Sequence, residues 1–138
     1  MNTDYAVFRD RVDAGRQLGA VLSAAATPDP VVLGLPRGGV VVAAEVARVM
    51  SCPLDIIVVR KLGAPARPEL GVGAIGESGV RTLNADLIRY LRIPDTALAE
   101  VEQREFAELD RRVARYRRGR PALNLEGKTA VIVDDGLA

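Results

Sequence analysis

Apolar and polar positions change period several times along the chain, and each period predicts a different element. Behind Asp10 and Asp13, a spacing that resembles a capping box, Ala14, Leu18, Val21, Leu22 and Ala25 recur at helical intervals. Pro28 and Pro30 end that predicted helix. The unbroken run VVLGL, Val31 to Leu35, has the length and composition of a strand buried on both faces. After PRGG, Val40 to Met50 reads as a helix, and Leu54 to Val59 (LDIIVV) as a second buried strand ending in Arg60 and Lys61.

The following stretch, GAPARPELGVGAIGESGVRTL, is rich in Gly and Pro. It reads as a mobile loop with a hairpin turned at Glu77-Ser78-Gly79. Asn84 caps a short helix to about Leu91, and Pro94-Asp95 restarts a longer one over Thr96 to Arg118. Leu98, Phe106, Leu109, Val113 and Tyr116 form its apolar face, and Gly119 and Pro121 stop it. A turn at Glu126-Gly127 leads into a third strand, Thr129 to Val133. Strands alternating with helices predict the α/β class: a Rossmann-like parallel sheet flanked by helices, with ligands at the carboxyl ends of the strands. No internal repeat or low-complexity tract interrupts the 138 residues, which are read as a single domain.

Composition narrows the chemistry. Hydrophobic residues at 49% against 27% charged indicate a folded globule, and a net charge of +1 asks for neither nucleic acid nor an anionic membrane. A single cysteine, Cys52, excludes an internal disulfide and fits a reducing cytoplasm. No apolar run is long enough to span a bilayer. The chain has no histidine, which removes Ser-His and Cys-His dyads and His-based metal sites. What remains suits phosphate handling, where positioning and electrostatics carry most of the work.

Two motifs are decoys. Gly71 to Gly76 (GVGAIG) matches the dinucleotide fingerprint, but Pro65 and Pro68 precede it and Glu-Ser-Gly follows, so neither the strand nor the helix it requires is in place. Gly127-Lys128-Thr129 mimics the end of a P-loop but precedes a strand.

GLPRGG, Gly34 to Gly39, lies between a strand and a helix. Gly38 and Gly39 would let backbone amides approach a ligand, and Arg37 could clamp a phosphate. An ordinary tight turn with a solvated Arg37 fits the same letters. VIVDDG, Val131 to Gly136, sets Asp134 and Asp135 at the end of a buried strand; Asp is common at any loop start, but adjacent acids there repel and call for a partner such as sugar hydroxyls or a Mg²⁺-bound ligand.

Together, strand-PRGG-helix, strand-RK-loop and strand-DDG resemble the type I phosphoribosyltransferases, in order and over nearly the whole chain. The resemblance implies Mg²⁺-dependent transfer of phosphoribose from phosphoribosyl pyrophosphate (PRPP) to a nitrogenous base, with release of pyrophosphate. Asp134 and Asp135 would hold the ribose hydroxyls. Arg37, Gly38 and Gly39 would form the pyrophosphate loop, which in the family often contains an unusual cis peptide. Arg60 and Lys61 would be catalytic, with Lys61, Arg37 and Mg²⁺ stabilising charge on the leaving pyrophosphate. Gly136, Leu137 and Ala138 would begin the 5-phosphate loop. No metal ligand comes directly from the chain, since Mg²⁺ arrives on PRPP. A non-catalytic relative that senses PRPP or a nucleotide is the alternative, and a fragment that only assembles with a partner is a third.

Two departures stand out. The segment in the position of the family's lid has Arg67 as its only basic residue before the hairpin, and no histidine. The sequence stops short of the threonine-glycine segment that completes the 5-phosphate loop, so it reads as the front part of the fold, truncated at its C-terminal side. A sheet ending there is expected to be covered by homo-oligomerisation or element exchange. No segment is identifiable as the hood that sets base preference in the family. Arg111 to Arg120 reads as a solvated helix end rather than an RNA site, because Glu100, Glu102, Glu105 and Glu108 precede it in the order the helix dipole favours.

Overall fold

The computed structural model describes residues 7–136. Its elements run α1 (Arg11–Ala24), β1 (Pro30–Gly34), α2 (Gly38–Met50), β2 (Leu54–Ile56), β3 (Val59–Ala64) and β4 (Arg67–Gly76). A 3₁₀ turn (Glu77–Gly79), β5 (Arg81–Leu83), α3 (Ala85–Tyr90), α4 (Asp95–Arg117) and β6 (Thr129–Val133) follow. Two compact units result: Met1–Ile57 with Ala122–Ala138, and Val58–Pro121.

The first unit carries a parallel sheet in the order β2-β1-β6. β1 pairs with β6 from Pro30↔Thr129 to Gly34↔Val133, and the Leu35 N–H donates to the Val133 carbonyl at 3.0 Å. β2 pairs on the other side, from Val32↔Leu54 to Gly34↔Ile56. The chain thus leaves β1 toward one neighbour and returns as the other, which opens a crevice at the carboxyl ends of β1 and β6. Val32, Val42, Ala43, Val46, Ala47 and Val133 form the buried cluster where α2 meets the sheet. Burial of each such valine stabilises by about 1.5–3 kcal/mol.

α1 is capped by Asp10, whose carboxylate accepts the Asp13 N–H at 2.8 Å. Its packed face differs from the apolar stripe in the sequence. Gly15 and Gly19 are the buried positions, while Leu18 is 36% and Val21 68% exposed. A Cβ on Gly15 would lie 2.6 Å from the Val42 carbonyl, and one on Gly19 would lie 2.8 Å from Val49 Cβ. The two helices therefore meet backbone to side chain, a contact that hydrophobic periodicity does not register. The return to β6 is tied by the Asp55 carboxylate, which accepts the Leu123 N–H at 2.9 Å, and by Lys128 to Asp29 at 3.3 Å.

The second unit corrects two expectations. The run LDIIVV is not one strand: β2 stops at Ile56, and Val59 begins β3 in a separate antiparallel sheet, order β3-β4-β5. Nor is the Gly- and Pro-rich segment a mobile loop, because most of it is strand: the end of β3, then β4 after a turn at Pro65-Ala66, then β5. The glycines fit the strand through close neighbours: a Cβ on Gly73 would meet the Thr82 carbonyl and, at 2.9 Å, Leu83 Cδ2. The turn at Glu77–Gly79 and the cap at Asn84, whose Oδ1 accepts the Leu87 N–H at 3.1 Å, are as expected.

Leu62, Val72, Ile75 and Leu109 are buried, and Glu102, Glu105 and Arg117 of α4 pair with Arg81, Arg60 and Glu77 respectively. No helix among the described residues is long and apolar enough to cross a membrane.

Candidate functional site

The crevice above β1 and β6 is built by two loops that touch. α2 starts at Gly38 without a side-chain cap and with no acid in its first turn; the Val40 N–H donates to the Arg37 carbonyl at 3.2 Å, which leaves the Gly38 and Gly39 amides for an anion. The Pro36–Arg37 peptide is cis, the feature expected of this loop. Arg37 is exposed, with no ion pair among the described residues.

Gly38 and Gly39 are glycine because β6 ends against them. A Cβ on Gly39 would lie 2.9 Å from the Val133 carbonyl and 3.0 Å from Asp134 Cα, and one on Gly38 would fall on the Asp135 carboxylate. The structure therefore brings Arg37, Gly38, Gly39, Asp134 and Asp135 into one place and puts Gly136 at its margin. Leu137 and Ala138 lie outside the described residues.

Each acid has one oxygen engaged. Asp134 Oδ1 accepts the Asp135 N–H at 2.9 Å. Asp135 Oδ2 accepts from Arg11 Nε at 3.1 Å and Nη2 at 2.8 Å. No other residue among those described donates a hydrogen bond to Asp134 Oδ2 or Asp135 Oδ1, although the two neighbouring carboxyls and the Asp135 backbone N–H also act on one another. The Arg11 hydrogen bond holds the Asp135 carboxyl below the usual carboxylate range. A cavity of about 590 Å³ adjoins the acids, its apolar wall formed by Phe8, Leu18, Leu35, Val42 and Ile132.

Arg60 and Lys61 belong to the second unit, inside β3 rather than at the end of a parallel strand. Arg60 donates to Glu105 at 2.7 Å, and Lys61 Nζ donates to the Glu69 carbonyl at 3.1 Å. They line a cavity of about 300 Å³ together with Arg104, which the sequence reading missed.

Residues 13–138 match the family described as the phosphoribosyl transferase domain. The chain belongs to that family. In Mycobacterium tuberculosis, the H37Rv protein named "Putative phosphoribosyl transferase Rv0571c" and its CDC 1551 counterpart, MT0597, are each 54% identical over 132 residues. Those matches cover 96% of this chain and 30% of the relatives, so the chain spans under a third of their length. The crystal structure of TT1426 from Thermus thermophilus superposes with a TM-score of 0.84 at 46% identity, over 94% of this chain and 61% of that one. This phosphoribosyl transferase domain is therefore of the α/β class, with its parallel sheet flanked by helices.

Arg11 was the residue missed in the first unit. It is 124 positions from Asp135, and no local spacing or motif connects the two.

Proposed function

We propose that this phosphoribosyl transferase domain binds PRPP in the crevice between Gly38-Gly39 and Asp134-Asp135 and serves transfer of its phosphoribose to a nitrogenous base. The observation that carries the reading is the close approach of these two pairs at the carboxyl ends of adjacent parallel strands. Two carboxylates with one unengaged oxygen each match a vicinal diol: one ribose hydroxyl donates to Asp134 Oδ2 and the other to Asp135 Oδ1. The pyrophosphate meets the uncapped start of α2, and Arg37 supplies a fork of donors.

In the reaction, the bond from ribose C1 to the pyrophosphate oxygen breaks and its electron pair leaves with pyrophosphate. A nitrogen lone pair of the base forms the new bond to C1, and that nitrogen's proton passes to solvent. The oxocarbenium-like centre needs no covalent nucleophile, and the chain offers no histidine for one.

Mg²⁺ fits as part of the donor. The described residues hold no group of three or more acids, cysteines or histidines that would cage it. Mg²⁺ commonly keeps its waters and takes phosphate oxygens. When bound it would neutralise charge on the leaving pyrophosphate. The countercharge role that the resemblance implies for Arg60 and Lys61 is carried within the same proposal.

The test is pyrophosphate release from Mg²⁺-PRPP with a panel of purine and pyrimidine bases. Release with one base class, lost in Asp134→Asn/Asp135→Asn, supports transfer. Donor binding without release by any base would assign a sensing role instead.

A further inference from the structure

The Arg11–Asp135 contact has no place in the proposed chemistry, yet it is the one charged contact that reaches the acid pair from α1 among the described residues. Arg11 gives both bonds, Nε at 3.1 Å and Nη2 at 2.8 Å, to the same oxygen, Oδ2. The guanidinium also lies over the other loop: its Nε would be 3.0 Å from a Cβ on Gly38. One side chain thus touches both segments of the crevice.

Its backbone is well placed to do so. Arg11 is the first residue of α1, directly after the Asp10 cap. α1 is set against α2 by the tight approaches at Gly15 and Gly19, and α2 is the helix that begins at Gly38.

We infer that Arg11 is a positioning residue of the donor site, engaging Asp135 Oδ2 so that Oδ1 alone is left for a sugar hydroxyl. This rests on the PRPP reading above. An exposed ion pair adds little to folding stability, so removing Arg11 should leave the fold intact while freeing the Asp135 side chain to rotate. The fork geometry matters as well as the charge, since a lysine ammonium would offer a point charge from a different reach.

The experiment is a double-mutant cycle in the full-length protein, read by calorimetric titration of Mg²⁺-PRPP with melting curves alongside. Arg11→Ala should weaken binding by roughly tenfold, in line with loss of a charge-assisted hydrogen bond. Arg11→Lys should recover part of that loss. In an Asp135→Asn background, Arg11→Ala should have almost no further effect, because the positioning acts through the carboxylate. Arg9→Ala, which removes a pair to Asp13 at the same helix start, should bind as wild type.

An undiminished effect of Arg11→Ala in the Asp135→Asn background would overturn the inference, as would tighter binding by Arg11→Ala alone. The two readings separate cleanly. If Asp134→Asn/Asp135→Asn leaves binding intact, or the wild-type protein binds no donor, the PRPP assignment fails and this inference with it. If Asp135→Asn weakens binding but Arg11→Ala does not, only the inference fails.

Discussion

Arg11 Nη2 lies 2.8 Å from Asp135 Oδ2, joining the first turn of α1 to the loop after β6. The contact has a pH signature. Asp135 is held below the ordinary carboxylate range, chiefly by the Arg11 hydrogen bond. A group whose folded value is depressed contributes stability above its unfolded value, about 4 for aspartate, and loses it as pH falls through the folded value. The Asp135 carboxyl carbon should therefore titrate below about 4 in a carbon-detected NMR series. In Arg11→Ala its midpoint should move up, and an unchanged midpoint would show that the pair does not persist in solution.

Gly38 and Gly39 should respond differently to alanine. At Gly38 the added methyl meets the Asp135 side chain, which can swing away, so donor binding should fall with little change in melting temperature. At Gly39 it meets the Val133 carbonyl at 2.9 Å and Asp134 Cα at 3.0 Å, and backbone cannot swing. Gly39→Ala should therefore destabilise by about 1–3 kcal/mol, the usual range for overpacking, as read by denaturant melts.

Arg117 joins the last turn of α4 to Glu77 in the turn between β4 and β5, at 2.8 Å, with the arginine side chain only 9% exposed. Glu77→Gln replaces the carboxylate of that pair with a neutral amide and so weakens a charge-assisted contact. A loss of about 1–3 kcal/mol is expected, less than for a fully buried pair and more than for the exposed pairs elsewhere on α4. Arg111→Gln, whose pair to Glu108 is exposed, should shift the melting temperature hardly at all.

Cys52 is partly buried, and that burial pushes its thiol pKa up. The thiolate is the reactive form, so native protein at neutral pH should react with iodoacetamide more slowly than a free thiol. Denaturation should restore the ordinary rate. Fast native labelling would contradict the burial.

Much of this was legible in the sequence because the first unit follows local rules. β1, α2 and β6 are marked by apolar runs and by PRGG and DDG, and β6 lies where Thr129 to Val133 placed it. The second unit was misread for two physical reasons. A continuous apolar run does not show where one strand hands over to another, so Ile57 and Val58 concealed the break between β2 and β3. Gly71, Gly73 and Gly76 suggested a loop, yet they sit in a strand whose neighbours approach closely at Gly73. Arg11 was illegible because its partner is set by the packing of α1 on α2, a tertiary contact made through glycines.

The central claim is that Asp134 and Asp135 hold the ribose of PRPP. Calorimetric titration of Mg²⁺-PRPP into the wild-type protein and into Asp134→Asn/Asp135→Asn tests it most directly, with melting curves confirming that both are folded. Binding by the wild type and its loss in the double variant is the expected result, because an amide oxygen is a weaker acceptor than a carboxylate for the two hydroxyls. Equal affinity in the two proteins would contradict it.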